Sequence, residues 1–404
     1  MANEDFSSFD ALFKEWYDSE RVRNTAERAH PFLKALPKDP DAQGDPLVVP
    51  IMFGDGGGSS ANIANAIANA GGTKQDRFLI SVASDYSVAK LDRKTWKATR
   101  GRAGSWVDAY KRQIDAALAR AGGRLSRFLF GNGSGSLGRL SATSGVTTSL
   151  TLANINDVVK FSIGQVLVLS TADGGGTVKT GSTTITAVDE DTGVLTVDTS
   201  VATFNPVGAV SDYIFQEGDY DAVLNGLDAW NPASVTATPF HNVDRTAHPS
   251  HLAGFRVDYS ALPVKEALLK FISRAARSGV KLSHAWINPV QMFNLCNALG
   301  SDVRRTDDAS DQKLGFSGVE LVSSGGKVGV YEDADCPSNL ARGVNMDDLK
   351  LSSYGPAIEI FDEDVEALRE TNEDSYQVRV GGYMELTCWN TKNLGRCILP
   401  TVTF

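Results

Sequence analysis

Large apolar residues recur every three or four positions near the start of the chain. This spacing places them on one stripe of an amphipathic helix that fades near residues 30–31. Three prolines among polar residues then predict an extended segment up to residue 46. Such a stripe must be covered, either by the body of this chain or by another subunit. Its residues are Phe6, Phe9, Leu12, Phe13, Trp16 and Tyr17.

A second helical pattern, over residues 105–130, is the strongest in the chain. Apolar residues from Trp106 to Leu129 fall close to i, i+4 and i+7 spacing. At about 1.5 Å per residue, this helix would be about 40 Å long. Gly122-Gly123 lowers its stability and could bend it. The glycine-rich run at 131–135 predicts where it ends.

Residues 47–100 have the pattern of strands and loops. Residues 47–53 are an apolar run that predicts a strand. Residues 78–96 alternate in part between apolar and polar side chains, which predicts a long, exposed and twisted hairpin arm. Between them, Ile63 and Ile67 stand at helical spacing in a small, polar stretch.

The composition changes at residues 146–217, where Thr, Val, Ser and Gly dominate and charges become rare. Glycine-rich and Asp-Gly turns separate short apolar runs, which predicts a small all-β module, a barrel or a sandwich, inserted into the main fold. The predicted strands are 161–169, 183–188, 194–198 and 211–216.

Strand and helix patterns alternate again over residues 240–360, which predicts mixed helix and strand structure. Helices are predicted at 263–277 and at 289–299, the second with Asn288 as its cap. The predicted strands of this part and of the tail are 284–287, 319–322, 328–331, 376–389 and 397–404.

Length and charge narrow the function classes. The 404 residues suggest two or three domains, and 42% apolar residues argue against disorder over the whole chain. The net charge of −10 argues against tight, sequence-independent nucleic-acid binding and against an anionic membrane surface as partner. The acidic start predicts no secretory signal, and no apolar run approaches the length of a membrane span.

The cysteines predict no disulfide framework and no zinc site. None of the four forms a C-x-x-C pair, so buried free thiols are the expected state. Their positions are Cys296, Cys336, Cys388 and Cys397.

Two short motifs match enzyme signatures in the wrong context. Gly133, Gly135 and Gly138 fit G-x-G-x-x-G, but a helix precedes them where a dinucleotide site needs a strand, which favours a helix end and a turn. Ser87 and Lys90 fit S-x-x-K, with K-T-G at 179–181. No S-D-N lies between them, and on a predicted strand the two side chains would point to opposite faces.

Two polar clusters contain side chains of the types that bind metal ions. His241, His248 and His251 with Asp244 could ligate a metal, but a polar loop with hydrogen-bonded histidines is favoured. The acidic run at 362–366 matches no known calcium loop. No set of nucleophile, base and orienting group is visible, so we expect no enzyme, no cofactor and no metal.

The order of these pieces resembles the major capsid proteins of tailed bacteriophages, so the fold class that it implies is α+β, the Hong Kong 97-like fold, with an inserted all-β domain. The resemblance covers nearly the whole chain except the β insertion. Its residues are the stretch 61–70 followed by 78–82 and 85–92, the long helix running into 129–135, Asn288-Pro289 at a helix start, and 376–386 as a closing strand.

The resemblance implies a division into domains. They are an N-terminal arm (1–46), an extended-loop hairpin region (47–100), a peripheral domain with a spine helix (101–145), an inserted β-barrel-like domain (146–217), an axial domain (218–361) and return strands of the peripheral domain (362–404). The implied assembly-interface candidates are Phe6, Phe9, Phe13, Trp16, Arg77, Tyr86, Lys90 and Arg93.

The resemblance also implies partners and location. The chain would assemble with itself, as hexamers and pentamers, into an icosahedral head around double-stranded DNA. A scaffolding protein, a portal and a decoration protein are expected partners, and the host cytoplasm is the expected place of assembly before the virion matures. An encapsulin-like compartment shell and a hydrolytic enzyme are the alternatives.

Overall fold

The computed structural model describes residues 30–54, 56–92, 103–141, 147–203, 211–299, 319–323, 326–361, 368–369 and 375–401. Within these residues the helices are α1 (Pro31–Ala35), α2 (Ile63–Ala68), α3 (Ala103–Phe130), α4 (Leu227–Trp230), α5 (Pro249–Leu252), α6 (Val264–Arg277) and α7 (Pro289–Leu299).

The strands of the same residues, in chain order, are β1 (Lys38–Asp39), β2 (Leu47–Gly54), β3 (Lys74–Ile80), β4 (Ala83–Asp92), β5 (Ser136–Arg139), β6 (Ser149–Thr151), β7 (Val166–Ser170), β8 (Thr183–Asp189), β9 (Val194–Val197), β10 (Tyr213–Gln216), β11 (Phe255–Asp258), β12 (His284–Ile287), β13 (Val319–Ser323), β14 (Gly326–Glu332), β15 (Leu340–Val344), β16 (Leu349–Ser353), β17 (Glu359–Ile360), β18 (Leu368–Arg369), β19 (Ser375–Cys388) and β20 (Gly395–Ile398). The chain divides into two compact units, residues 131–229 and the remainder.

One sheet of the larger unit, sheet A, is built around the long strand β19. Strands β16, β17, β18 and β4 all pair antiparallel with β19, and β1 extends the sheet by pairing parallel with β16. Helix α3 packs against β4 and β19. Both the Nε and Nη2 atoms of Arg124 on α3 donate to Oδ1 of Asp85 on β4, at 3.0 and 2.8 Å. This ion pair fixes the position of the helix along the sheet, because a lone charge at this depth would be costly.

The second sheet of this unit, sheet B, has the strand order β11-β20-β15-β12-β14-β13 and mixes parallel with antiparallel pairs. Helices α6 and α7 bury their apolar faces in its core. The rings of Phe255 and Phe271 stack there with their centroids 5.1 Å apart. Gly343 and Gly395 pair across β15 and β20, and a Cβ on either would lie under 3.0 Å from these rings. Glycine is therefore required at both positions.

Phe32 on the short helix α1 joins the end of α3 to sheet B. Its ring lies between those of Phe130 and Trp286, at centroid distances of 4.9 and 5.3 Å. Its backbone N–H donates to Oδ2 of the buried Asp333 at 2.9 Å. Burial raises the pKa of Asp333. One aromatic side chain thus connects three elements that are far apart in sequence.

The smaller unit is all-β. Its six described strands have the order β5-β10-β7-β8-β9-β6. The last strand returns to the first, since Leu140 and Leu152 form a bridge and Ala153 N donates to Arg139 O at 2.8 Å. These bonds close the sheet into a barrel whose interior is filled by leucine, isoleucine and valine side chains. None of the chain's described helices is long and apolar enough to cross a membrane.

The periodic elements agree with the sequence predictions. The predicted long helix is α3, the helices predicted at 263–277 and 289–299 are α6 and α7, and the strand predicted at 284–287 is β12. The predicted cap of α7 is confirmed, because Asn288 Oδ1 accepts from Val290 N at 3.2 Å. The helix predicted near the start of the chain lies outside the described residues.

One prediction of a hairpin is wrong. The described residues 78–92 do not pair with each other, because residues 74–80 pair with β2 and residues 83–92 pair with β19. The alternation identified strands correctly but did not identify their partners. The extended hairpin is therefore β2–β3, and β4 belongs to sheet A.

We predict that Phe32→Ala destabilises the larger unit by about 3–5 kcal/mol, because it leaves a cavity between two aromatic rings. Urea unfolding followed by tryptophan fluorescence measures the loss. The exposed Val322→Ala is the control, and we expect it to change stability by less than about 0.5 kcal/mol. Equal unfolding midpoints for Phe32→Ala and the wild type would contradict the role of Phe32.

Candidate functional site

The structure does not assemble the serine–lysine motif into a site. Ser87 is buried and Lys90 is exposed on β4, on opposite faces of the strand as predicted. Lys179, from the K-T-G match, forms an ion pair with Asp212 at 2.5 Å inside the smaller unit.

The Gly133–Gly138 run leads into strand β5 rather than into a helix, with Gly133 and Gly135 at positive φ. It lacks the helix N-terminus that a dinucleotide site requires.

Of the three candidate histidines, His241 lies before α5, His248 is the N-cap of α5 and His251 lies on it. The ring of His241 lies 4.1 Å from that of Phe240 and 5.7 Å from that of Trp230. Burial lowers the pKa of His241 to about 4, helped by the positive charge of Arg245. His248 and His251 have ring centroids 5.3 Å apart. Within the described ranges, no three His, Cys, Asp or Glu side chains form a group that could hold a metal.

The cysteines are free thiols. Cys336, Cys388 and Cys397 are buried, and burial raises the pKa of Cys397 to about 12. Cys296 is partly exposed, and burial raises the pKa of this thiol too. A thiol with a raised pKa is a poor nucleophile at neutral pH, so these residues favour packing over chemistry.

The β2–β3 hairpin exposes several large apolar side chains. Strand β2 alternates buried and exposed residues, with Leu47, Val49 and Ile51 directed inward. Its other face is also apolar: Val48 is 51% exposed and Met52 is 59% exposed. A two-stranded sheet with two apolar faces is marginal in water unless a further surface covers it.

Helix α2, between the two strands of this hairpin, buries none of its side chains. Asn62 caps it, with Oδ1 accepting from Ala64 N at 2.9 Å. Ile63 and Ile67, one turn apart on the same face, are 75% and 69% exposed. Together with Val48 and Met52 they make up four exposed apolar side chains of the hairpin, which we call the hairpin apolar set.

A second exposed cluster lies on sheet A. The hydroxyl groups of Tyr86 on β4 and Tyr383 on β19 are 3.2 Å apart, and both rings lie about 6 Å from that of Phe361. Gly381 makes room for these rings, since a Cβ there would lie 3.0 Å from Phe361 and 3.2 Å from Tyr86. The cluster is aromatic and rigid but open to solvent, a combination typical of protein interfaces.

The predicted interface residues are only partly within the described chain. Arg77 is exposed on β3, and Tyr86 and Lys90 are exposed on β4. Phe6, Phe9, Phe13, Trp16 and Arg93 lie outside the described residues. Sequence reasoning missed Val48, Met52, Ile63 and Ile67 as site residues. The helical spacing of the two isoleucines was visible, but their exposure depends on the hairpin standing apart from the rest of its unit.

Three solved structures resemble this chain along most of its length. The cyanophage A-1(L) capsid asymmetric unit is 12% identical, matches with a TM-score of 0.55 and covers 93% of each chain. The structure named for Mycobacterium phage Adephagia is 9% identical at a TM-score of 0.43, covering 100% of each chain. The capsid of Myoviridae phage XM1 is 9% identical at a TM-score of 0.43, covering 91% of this chain and 90% of that one. No protein-family model and no curated protein sequence matches.

The similarity to the cyanophage capsid chain decides the fold, because it covers nearly all of both chains. This chain has the Hong Kong 97-like fold of tailed-phage capsid proteins. The predicted fold class is therefore confirmed, at an identity too low for sequence comparison to detect. In this Hong Kong 97-like chain, the described surface includes an exposed apolar hairpin and an exposed aromatic cluster.

We predict that His241→Asn makes stability less dependent on pH. The pKa of His241 is about 4 in the folded chain against 6.5 ordinarily, so below about pH 6.5 the unfolded chain takes up a proton that the folded chain excludes. Folding stability is then lost as pH falls towards 4. Asparagine tolerates the positive φ at this position.

Melting temperatures near pH 7 and near pH 5 test this prediction. Over that range the wild type should lose about 1–2 kcal/mol more stability than His241→Asn. The control is His248→Asn, which changes an exposed histidine and should behave as wild type. If His241→Asn loses as much stability as wild type at low pH, the histidine is not buried in its neutral form.

Proposed function

We propose that this chain is a major capsid protein, which self-assembles into the icosahedral head that encloses the double-stranded DNA of a tailed phage. The observation that carries the proposal is the shared fold with the cyanophage capsid chain over 93% of both chains. A match of this extent includes the hairpin and both sheets of the larger unit, rather than a common core alone.

The exposed surfaces support assembly. A monomer gains nothing from the hairpin apolar set, which costs solubility and invites aggregation. In a shell, the same side chains would be buried against neighbouring copies. Burying each valine, isoleucine or methionine contributes on the order of 1.5–3 kcal/mol, so a few per subunit, repeated around a closed shell, stabilise it strongly.

We assign the parts of the chain to the roles that such a fold implies. Residues 1–46 would be the arm, β2–β3 the extended loop, α3 with sheet A the peripheral domain, and sheet B with α6 and α7 the axial domain. The barrel would be an insertion specific to this chain or its relatives. Copies of sheet B would meet around the five-fold and six-fold positions.

The charge supports a container rather than a DNA-binding protein. A net charge of −10 keeps the packaged DNA from adhering to the wall. Within this proposal the chain is not an enzyme, and its partners are other copies of itself, a scaffolding protein, a portal and a decoration protein. It would assemble in the host cytoplasm and end in the virion.

Electron microscopy of the expressed chain, alone and with the other proteins of its parent lysate, tests this proposal. Hollow or filled icosahedral particles tens of nanometres across are expected. Particles that contain a cargo enzyme instead of DNA would indicate an encapsulin-like compartment. A monodisperse monomer under every condition would overturn the assignment.

We predict that Ile63→Lys with Ile67→Lys prevents assembly while the chain remains folded. Two charges on the uncovered face of α2 would have to be buried without partners, so particle yield should fall at least about tenfold. Sedimentation measures the yield, and circular dichroism checks the fold.

The matched control is Asn65→Lys with Asn69→Lys, which adds the same charge to the opposite face of α2. These particles should form normally. Equal yields from both double variants would show that the apolar face of α2 makes no contact in the shell.

A further inference from the structure

A deep groove runs along strand β2 of the larger unit. Its volume is about 990 Å³ and its walls come from β2, α5, β11, α6 and the segment after β19. Pro50, Met52, Phe53 and Trp389 give it apolar surface. This volume is at the upper end of ordinary ligand pockets and far exceeds the size of a single inorganic ion.

The charged side chains of the groove all have one sign. Arg256, Arg274 and Lys392 line it together with His248 and His251, and no aspartate or glutamate is among the lining residues that the structure describes. The Nε and Nη2 atoms of Arg256 donate to the carbonyl oxygens of Pro232 and Ala253, at 2.6 and 3.1 Å. These acceptors are neutral, so they orient the guanidinium without cancelling its charge.

A further cation, Arg245, lies near the groove residue Arg256. Arg245 stacks over the ring of Phe240 at 4.2 Å, and burial together with the charge of Arg256 lowers the pKa of Arg245 to about 10. The two arginines are therefore close enough to repel each other. A chain with a net charge of −10 thus concentrates positive charge along one groove, which favours an anionic occupant.

Strand β2 provides an open hydrogen-bonding edge in this groove. Among the described strands, β2 pairs only with β3. An extended polypeptide can add to such an edge through its main chain while its side chains enter adjacent pockets. The apolar walls and the strand edge therefore fit a peptide better than they fit a nucleic-acid backbone, which would be held by the cations alone.

We propose that this groove binds an extended, acidic segment of a second copy of this chain. The proposal rests on the shell function proposed above, because only an assembly holds further copies at the high local concentration that favours them over other acidic peptides. The sequence contains a fitting segment at residues 362–366, which reads Asp-Glu-Asp-Val-Glu. Its four carboxylates match the cations, and its valine matches the apolar walls.

Carbodiimide coupling tests the proposal directly, because it joins a lysine amine to a carboxylate that contacts it. Particles would be assembled from a mixture of ¹⁴N-labelled and ¹⁵N-labelled chains, coupled, digested and analysed by mass spectrometry. We expect Lys392 to be joined to an acidic residue of 362–366, with half of the linked pairs carrying one light and one heavy partner. Only a contact between two copies produces such mixed pairs.

Charge variants give the second measurement. Arg274→Glu should lower the yield of the Lys392 link at least about fivefold, because it replaces an attraction by a repulsion at the wall of the groove. Arg277→Glu makes the same charge change on the same helix turn but does not line the groove, and it should leave the yield unchanged. Lys392→Arg keeps the charge, so it should assemble normally while removing the link.

The outcomes separate this inference from the proposed function. If intact particles form but Lys392 gives no mixed-isotope link, or is linked only within its own chain, to DNA or to another protein, the groove does not bind a second copy. Equal link yields from Arg274→Glu and Arg277→Glu would also overturn the inference. If no particles form at all, the proposed shell function fails first.

Discussion

The antiparallel pairing of β4 with β19 is the interaction on which the larger unit depends. It runs from Ala83 opposite Met384 to Asp92 opposite Ser375, joining parts of the chain that are almost three hundred residues apart. Bringing together two strands so distant in sequence costs chain entropy. Their pairing stabilises the fold only when the resulting sheet buries one of its faces. Helix α3 supplies that cover, held by the pair of Arg124 with Asp85. The remaining strands of sheet A then add to β19, and α1 links the end of α3 to sheet B through Phe32.

The pairing of β2 with β3 is a consequence of how the positions in sheet A are filled. Both outer positions beside β19 are occupied by β4 and β16, so β2 and β3 pair only with each other among the described strands. The base of the hairpin is anchored, because Phe78 packs edge-on against Trp230 at 5.1 Å and Leu79 N donates to His241 O at 2.9 Å. Beyond that anchor, Val48, Met52, Ile63 and Ile67 are each more than half exposed. A surface that the fold cannot cover internally is the physical basis for assembly.

The sequence reveals local periodicity better than pairing. Helices α3, α6 and α7 and strand β12 were predictable within two residues because apolar spacing, a proline and the Asn288 cap all act locally. Strand β15 was missed because all five of its residues are buried and show no alternation. The prediction gave residues 83–92 a neighbouring strand as partner, although they pair with β19. Alternation shows which face of a strand is apolar, but it does not show which distant strand lies beside it. The exposure of Ile63 and Ile67 likewise depends on tertiary structure and is invisible in their spacing.

The distribution of charge matters more than its sum. The net charge of −10 argues against a surface that attracts nucleic acid everywhere, yet it conceals a groove whose described lining contains cations and no carboxylate. Arg256, Arg274 and Lys392 are separated in sequence by up to 136 positions and converge only because β11, α6 and the segment after β19 meet beside β2. An acidic protein whose copies must adhere to one another needs local positive sites, since uniformly acidic surfaces repel. Under the proposed shell function, a cationic groove on a negative body would satisfy both requirements, because it would attract an acidic segment of a neighbouring copy while the rest of the surface repels DNA.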